Sequence, residues 1–175
     1  NTCAKVKMEN PDKQLIVTID HTLLSKKLTE KDDGELVSNT AHIGIDLKKK
    51  LGAMVIFLCQ ANGEIEKVHR KENPDLNFPV KNDIHYGNQL YWACDDVLFL
   101  LKPINLQLEK YGRVYIPSLK KKVPLTTQGL IHCIWLKSRF NRIGSIWFKD
   151  ELKQGKFIEA TAKDFIWSPP MNILG

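Results

Sequence analysis

The sequence predicts an α/β domain with a mostly parallel sheet whose strands carry polar residues at their carboxyl ends. Two apolar runs, residues 14–20 and 53–60, each end in a polar side chain and flank a helical pattern. Strand, helix and strand in this order describe a parallel crossover unit. Short strand candidates crowd the last third of the chain without helix-length spacers, which predicts antiparallel hairpins at one edge of the sheet.

The first run, Gln-Leu-Ile-Val-Thr-Ile-Asp, ends abruptly at Asp20. An apolar β-branched run is typical of a central parallel strand buried on both faces, and ligands collect just beyond the carboxyl ends of such strands. A carboxylate there can hold Mg²⁺ through water, because Mg²⁺ keeps most of its hydration. The alternative is a surface strand that ends in a turn-forming Asp.

A helix is predicted between the two runs, with Asp33 as its N-cap. Its apolar face is expected to follow helical spacing through Leu36, Thr40, Ile43, Leu47 and Leu51. Residues 48–50 are lysines in the last turn, where cations suit the helix dipole, and Gly52 follows as the stop. This lysine run is expected to be a solvated helix end, and the strand after it would place Gln60 beside Asp20.

The chain after residue 60 consists of an irregular stretch followed by a series of strand candidates. Residues 61–92 lack clear periodicity, and a long irregular segment inside a compact domain is usually functional or mobile. An apolar run at 96–102 restores the strand pattern, and further strand candidates are residues 113–116, 129–137, 145–149 and 156–160. The lysine-rich residues 118–124 predict a solvated loop. A domain over residues 1–160 and an extended tail over 161–175 follow from this division.

Length, cysteine content and net charge indicate a one-domain protein in a reducing setting. A chain of 175 residues suits one domain, and no apolar run reaches the length of a membrane span. The four cysteines lie far apart without zinc-site spacing, so a reducing, cytoplasmic setting is expected. The net charge of +6 slightly favours a polyanionic partner. The start lacks an initiator Met and a signal segment, which suggests the interior of a longer protein.

Four segments, taken in order, carry a family resemblance. Residues 15–20 resemble a Walker B strand, with His21 where the family usually has Tyr, and residues 53–62 resemble a strand ending in Ser-Gln-Leu-Asn. Residues 83–100 resemble a loop and strand that read Asp-Leu-Arg-Glu-Ser-Gly and Asp-Ala-Asp-Val-Val-Leu-Phe-Leu, and residues 134–144 a Lys-x-Arg hairpin. Together they resemble the second half of the RecA-like ATPase domain of DnaB-type hexameric replicative helicases, from about residue 14 to about residue 160.

The resemblance implies roles for several side chains around ATP and Mg²⁺. Asp20 would organise Mg²⁺ through water, and Gln60 would sense the γ-phosphate. Lys137 and Arg139 would reach the nucleotide of a neighbouring subunit, and residues two apart on a strand are expected to project from one face. The alternative for this pair is an ordinary solvated strand face. Arg142 is a substitute donor, less favoured because it falls in the predicted turn.

In the family, the loop that matches residues 83–89 grips the phosphate backbone of single-stranded DNA. The candidates for this role are Lys81, His85, Gly87 and Asn88. The family's Arg-Glu positions hold His85 and Tyr86 here, and a neutral His binds phosphate less strongly than Arg does. Tyr91 and Trp92 are expected to pack under the edge of the sheet rather than to stack on bases.

The resemblance implies an ATP- and Mg²⁺-dependent DNA helicase that forms a homo-hexameric ring, has primase or a helicase loader as a possible partner, and needs no membrane. The sequence holds no Gly-x-x-x-x-Gly-Lys-Ser/Thr loop, so the chain alone is not expected to hydrolyse ATP. A fragment of a longer helicase is preferred over a degenerate half-domain that acts as a scaffold. The alternative functions are another RecA-fold ATPase, recombinase-like or clock-like, and a non-catalytic nucleic-acid-binding or interaction module.

Overall fold

The computed structural model describes residues 2–20, 31–140 and 143–169. Within these ranges the α-helices are α1 (Thr2–Glu9), α2 (Asp33–Leu51), α3 (Val68–Lys71) and α4 (Gly87–Ala93). The strands are β1 (Ile16–Ile19), β2 (Met54–Phe57), β3 (Asp96–Leu101), β4 (Lys110–Ile116), β5 (Lys121–Thr126), β6 (Leu130–Ser138), β7 (Ser145–Glu151) and β8 (Lys156–Ala160). Short 3₁₀ turns connect several of them.

The described residues form two compact units. The first unit contains the residues up to Asn62 together with Lys81–Cys94, and the second contains Gly63–Val80 and the residues from Asp95 onward. The stretch 61–92, which was predicted to be irregular, forms short helices and turns over most of its length, and both units contain part of it. The division into a domain over 1–160 and a tail stays a prediction.

In the first unit, β1 and β2 pair in parallel, from Ile16 opposite Met54 to Ile19 opposite Phe57. The helix α2 lies between them in the chain, so the predicted strand–helix–strand order is confirmed. Its N-cap is Asp32 rather than Asp33, because the Asp32 carboxylate accepts the Glu35 amide hydrogen at 2.8 Å.

The buried face of α2 differs from the predicted one. Its buried residues are Leu36, Val37, Thr40, Ala41 and Gly44, whereas Ile43 is exposed. Gly44 shows why the helix approaches β2 so closely: a Cβ there would lie 2.4 Å from the Phe57 ring. The helix ends as predicted at Gly52, whose left-handed φ of 60° suits glycine.

The expectation that β1 is buried on both faces is wrong. Exposed and half-buried residues alternate along β1, and Ile16 keeps 57% of its surface accessible. Its partner Met54 on β2 is also exposed. The apolar β-branched run therefore predicted a strand correctly but not its burial, since no described residue covers this face of the pair.

The second unit holds two antiparallel sheets, one with the strand order β3-β6-β7-β8 and one made of β4 and β5. The strand predicted at 96–102 is confirmed as β3, and it pairs antiparallel with β6. Among the described residues, parallel pairing is confined to β1 and β2, so the architecture is mixed rather than mostly parallel. The predicted strands at 145–149 and 156–160 are confirmed as β7 and β8.

The lysine-rich residues 118–124 were expected to be a loop, but most of them belong to β5. A tight turn at Pro117–Leu119 reverses the chain, and β5 pairs with β4 from Lys121 opposite Ile116. Val123 and Leu125 alternate with exposed or half-buried residues and are buried. The lysines concealed this period of two, which is why sequence reasoning missed the strand.

The core of the second unit is large and mainly aliphatic, with two aromatic residues among its buried members. Its buried members are Ile65, Leu106, Leu108, Tyr111, Leu125, Leu130 and Phe165. Phe78 packs against them and lies so close to Gly112 that a Cβ at that glycine would be 1.9 Å from its ring. Phe165 belongs to the stretch predicted as an extended tail; its described part instead includes a 3₁₀ turn, Ala162–Phe165, with a capping box.

A histidine lies at the centre of this unit with no solvent exposure. His132 forms hydrogen bonds through Nδ1 with the Tyr111 hydroxyl at 2.7 Å and through Nε2 with the Ser145 hydroxyl at 2.8 Å. Its ring stacks on Trp147 at 4.0 Å between centroids. Burial lowers the pKa of His132 from 6.5 to about 3, so the imidazole is neutral at physiological pH.

Candidate functional site: two strand tips and a loop

Asp20 and Gln60 both follow the carboxyl ends of the parallel pair. Asp20 comes directly after β1, and Leu58, just beyond β2, donates its amide hydrogen to the Ile19 carbonyl at 2.9 Å. Gln60 lies two residues further along the chain, and both Asp20 and Gln60 are exposed. Two polar tips on adjacent parallel strands are the arrangement at which open α/β sheets bind ligands.

A short backbone bridge ties the Gln60 segment to the candidate DNA-binding loop. Its contacts are His85 N to Gln60 O at 3.1 Å, the antiparallel bridge between Ala61 and Ile84, Asn62 N to Asp83 O at 2.8 Å, and Asn62 Nδ2 to Asn82 O at 2.6 Å. All of them lie inside the first unit. A displacement of residues 60–62 would therefore also displace residues 82–85, to which they are hydrogen-bonded.

The four DNA-binding candidates lie in this loop and at the start of α4. Lys81 is half-buried, and His85 contacts the edge of the Tyr86 ring at 4.5 Å between centroids. The helix α4 begins at Gly87, within what was expected to be loop, and Asn88 is exposed in its first turn. Tyr86 takes a left-handed φ of 49°, an uncommon conformation for a residue that is not glycine.

The expectation that Tyr91 and Trp92 pack under a sheet edge is wrong for Trp92. Both residues lie on α4, and Trp92 is 67% exposed. The Lys81 ammonium lies 5.2 Å from the Tyr91 ring centroid and 4.7 Å from that of Trp92, within cation–π range. The prediction assumed that the strand after residue 95 would cover both rings. Trp92 instead lies near the end of α4, and its indole is accessible.

Lys137 and Arg139 lie on either side of the last residue of β6, Ser138. Lys137 is part of β6 and pairs with Val97, whereas Arg139 lies beyond the end of the strand. The Arg139 guanidinium lies 2.7 Å from an Asp95 carboxylate oxygen, and its amide donates to the Asp95 carbonyl at 3.0 Å. The expected common face of Lys137 and Arg139 stays a prediction, because Arg139 follows directly after the last residue of β6, Ser138. Arg142 and His21 lie outside the described residues.

The side chains near the strand tips offer Mg²⁺ few protein ligands. Among the described residues, no group of three or more His, Cys, Asp or Glu side chains could hold a metal ion. One protein carboxylate, such as that of Asp20, fits Mg²⁺ only when water and phosphate oxygens supply most of the ligands, which is how Mg²⁺ commonly binds beside nucleotides. The residues present thus fit one side of a Mg²⁺–nucleotide site.

A parallel pair with polar tips in the first unit and antiparallel sheets in the second define a mixed α/β fold. Several solved structures share this fold, and two of them illustrate it. One is an ATPase domain, with a TM-score of 0.66, 19% identity, and coverage of 91% of this chain and 49% of that chain. The other is a DnaB-like replicative helicase described with its interactions with primase, with a TM-score of 0.64, 21% identity, and coverage of 91% and 33%.

The resemblance found in the sequence is therefore confirmed at the level of the fold: the chain has the fold of the RecA-like ATPase domains of DnaB-like helicases. It spans about half the length of the first structure and about a third of the second. No protein-family model and no curated protein matches the sequence. Among the described helices, none is long and apolar enough to cross a membrane.

Sequence reasoning missed two residues, one in each unit, that contact predicted site residues or their neighbours. Asn62 links the Gln60 segment to the loop, and Asp95 holds Arg139. Asn62 was visible only as the last residue of a family-like motif, since its partner lies twenty positions away. Asp95 carried no signal, because its role depends on the antiparallel pairing of β3 with β6.

Proposed function

We propose that this chain is part of the motor domain of an ATP-dependent replicative DNA helicase, which translocates on single-stranded DNA and unwinds duplex DNA. The fold shared with DnaB-like ATPase domains supports the class of protein. The observation that carries the proposal is the backbone bridge between residues 60–62 and 82–85, because a motor must connect a nucleotide sensor to a DNA-gripping loop.

The two strand tips would act on the nucleotide. Phosphoryl transfer to water needs charge neutralisation at the phosphate oxygens and a positioned nucleophile, and bound ATP with Mg²⁺ supplies the transferable phosphoryl group and its counter-charge. Asp20 would accept hydrogen bonds from water on the metal side of the site. Gln60 would hydrogen-bond the terminal phosphate or the attacking water, so its position would differ between nucleotide states.

The bridge would pass that difference to the DNA. Because the His85 amide is bonded to the Gln60 carbonyl, a shift of Gln60 moves the loop that carries Lys81 and leads into Asn88. Backbone amides and a few cations are enough to hold phosphates without reading sequence, as a translocating motor requires. Gly87 would allow close approach of the DNA backbone to the start of α4.

Lys137 and Arg139 would complete the site of a neighbouring subunit, so hydrolysis would depend on an assembled homo-hexameric ring. A cation at the transferring phosphate stabilises the charge of the transition state. Primase or a helicase loader is a proposed further partner, in keeping with the primase interactions described for one of the similar structures. The proposal places the protein in the cytoplasm, with DNA as its substrate.

The bridge offers a direct test on the product of the complete open reading frame. Asn62→Ala removes the side-chain hydrogen bond to Asn82. We expect basal ATPase activity to stay within about twofold, while stimulation by single-stranded DNA falls by about tenfold, which corresponds to the loss of one hydrogen bond worth about 1.4 kcal/mol. Steady-state phosphate release with and without oligothymidine gives both values.

Asn73→Ala is the matched control, because Asn73 also binds the backbone locally, accepting from the Asp75 amide at 3.0 Å in the second unit. It should leave DNA stimulation unchanged. Full stimulation in Asn62→Ala would contradict the proposed connection between sensor and loop.

A non-catalytic nucleic-acid-binding module is the second candidate, favoured by one observation: the chain holds no Walker A loop. The complete open reading frame distinguishes the two, since a motor needs a phosphate-binding loop upstream of Asp20. Another RecA-fold ATPase, recombinase-like or clock-like, would be favoured if Arg139 did not face a neighbouring subunit.

A further inference from the structure

Positive charge is concentrated in one stretch of the chain. Residues 110–149 contain nine of the 26 Lys and Arg residues and none of the 20 Asp and Glu residues. In the rest of the chain, the 17 remaining basic residues are outnumbered by those 20 acidic ones. The net charge of +6 therefore arises entirely from this stretch, which lies in the second unit.

The first part of the stretch folds into β4, the turn at residues 117–120 and β5, which we call the basic ribbon. One face of the basic ribbon buries Ile116, Val123 and Leu125. The other face exposes Tyr115, with 57% of its surface accessible, and its cross-strand partner Lys122. The ribbon thus has an anchored side and a side that presents an aromatic ring next to a cation.

Three consecutive lysines, Lys120, Lys121 and Lys122, form the tip of the basic ribbon, and all three are exposed. The structure gives them no ion pair with any described carboxylate. Arg113, on β4 and farther from the tip, does form an ion pair, because its guanidinium lies 2.8 Å from an Asp75 carboxylate oxygen. The cations available to an outside partner are therefore those at the tip.

We propose that the basic ribbon binds single-stranded nucleic acid, with the tip lysines on the phosphate backbone and Tyr115 stacked on a base. Clustered lysines bind phosphates by releasing condensed counterions. An exposed aromatic ring beside cations is how single strands are held without sequence preference, because every base presents a π-face. This site goes beyond the proposed function, which places DNA at residues 81–88.

Other polyanions fit the observations less well. An anionic membrane surface would attract the lysines, but stable anchoring needs an apolar face or a second signal, and Leu119 is a single apolar side chain at the tip. An acidic protein segment would use the lysines and leave Tyr115 without a role. Unpaired bases use both the charge and the ring.

The test measures binding of fluorescein-labelled oligothymidine, about 20 nucleotides long, to the 175-residue chain by fluorescence anisotropy over a range of salt concentrations. Replacing Lys120, Lys121 and Lys122 with Gln should weaken binding by about tenfold or more in about 0.1 M salt. The slope of log K against log salt should fall by about 2, as expected for three phosphate contacts on a single strand.

The chain offers a matched control in Lys48, Lys49 and Lys50, another run of three exposed lysines, located at the end of α2 in the first unit. Replacing these three with Gln removes the same net charge and should change affinity by less than about threefold. Equal losses in the two triple variants would show an effect of overall charge alone and would overturn the proposal, as would unchanged binding in the ribbon variant.

Tyr115→Leu tests the stacking. It should weaken binding by about fivefold or more without altering the salt slope, while Tyr115→Phe, which keeps the ring, should bind like the unmodified chain. Unchanged affinity in Tyr115→Leu, or equal affinity for duplex DNA, would overturn the single-strand assignment. Stronger binding to phosphatidylserine vesicles than to oligothymidine would overturn the nucleic-acid assignment. Lys81→Gln, measured in parallel, reports separately on the loop of the proposed function.

Discussion

The two compact units carry different kinds of residue at their surfaces and in their cores. The first unit places Asp20 and Gln60 on the tips of a parallel pair whose Ile16 and Met54 stay exposed, and its buried cluster is small: Val37, Ala41 and Leu90. The second unit buries a larger, mainly aliphatic core and a hydrogen-bonded histidine. Asp20 and Gln60 thus lie in the unit with the smaller buried cluster, while the second unit combines a large core with basic surface residues, Lys137 and Arg139 among them.

The largest expected effect tests whether catalytic contacts are confined to the first unit. On the product of the complete open reading frame, Arg139→Ala should lower DNA-stimulated ATPase turnover by about 10³-fold, the scale of a missing arginine finger. Lys102→Ala, which removes another cation of the same unit paired with Asp150, is the control and should keep full turnover. Unchanged turnover in Arg139→Ala would leave the nucleotide chemistry with the first unit and remove the finger assignment.

The second prediction compares the burial of the two units. Leu125→Ala creates a cavity at a fully buried position and should cost about 2–5 kcal/mol of unfolding free energy, whereas Ile16→Ala on the exposed face of β1 should cost less than about 0.5 kcal/mol. Urea unfolding followed by circular dichroism measures both changes. A similar cost for the two variants would contradict the difference in packing between the units.

The smallest expected effect concerns the histidine of the second unit. The folded protein takes up no proton at His132 until the pH approaches 3, whereas the unfolded chain takes one up below about 6.5, so acid favours unfolding. Stability should fall by about 1.4 kcal/mol for each pH unit below about 6.5. Between about pH 5 and about pH 7, the unfolding free energy of His132→Gln should lack this dependence on pH. His42→Gln changes an exposed histidine, serves as the control and should retain the dependence.

Strand and helix positions were largely readable from the sequence, because apolar runs and the Gly52 stop are local signals. Burial was not readable: β1 looked like a central strand, and only the three-dimensional arrangement shows Ile16 exposed. The strand β5 was not recognised, because its first residues are lysines that follow a turn and its alternation of apolar and polar residues is therefore short. The positions of Asp20 and Gln60 at neighbouring tips followed from the parallel pairing.

Side-chain partners across the sheet could not be predicted in the same way. The spacing of Lys137 and Arg139 gave no sign that Asp95 lies beside Arg139, because that contact depends on the pairing of β3 with β6. Long-range pairing of this kind depends on register, which a single sequence does not display. The roles of both residues remain predictions that rest on the family resemblance.

The pairing of Arg139 with Asp95 has a consequence for populations. Both side chains are partly exposed, so their ion pair is worth about 1 kcal/mol at most, and the guanidinium spends at least about a sixth of its time unpaired. A phosphate that needs the unpaired form would see its apparent affinity reduced by no more than about sixfold. If Arg139 reaches a phosphate of a neighbouring subunit, as proposed, Asp95 would hold its guanidinium only weakly and the phosphate would displace it.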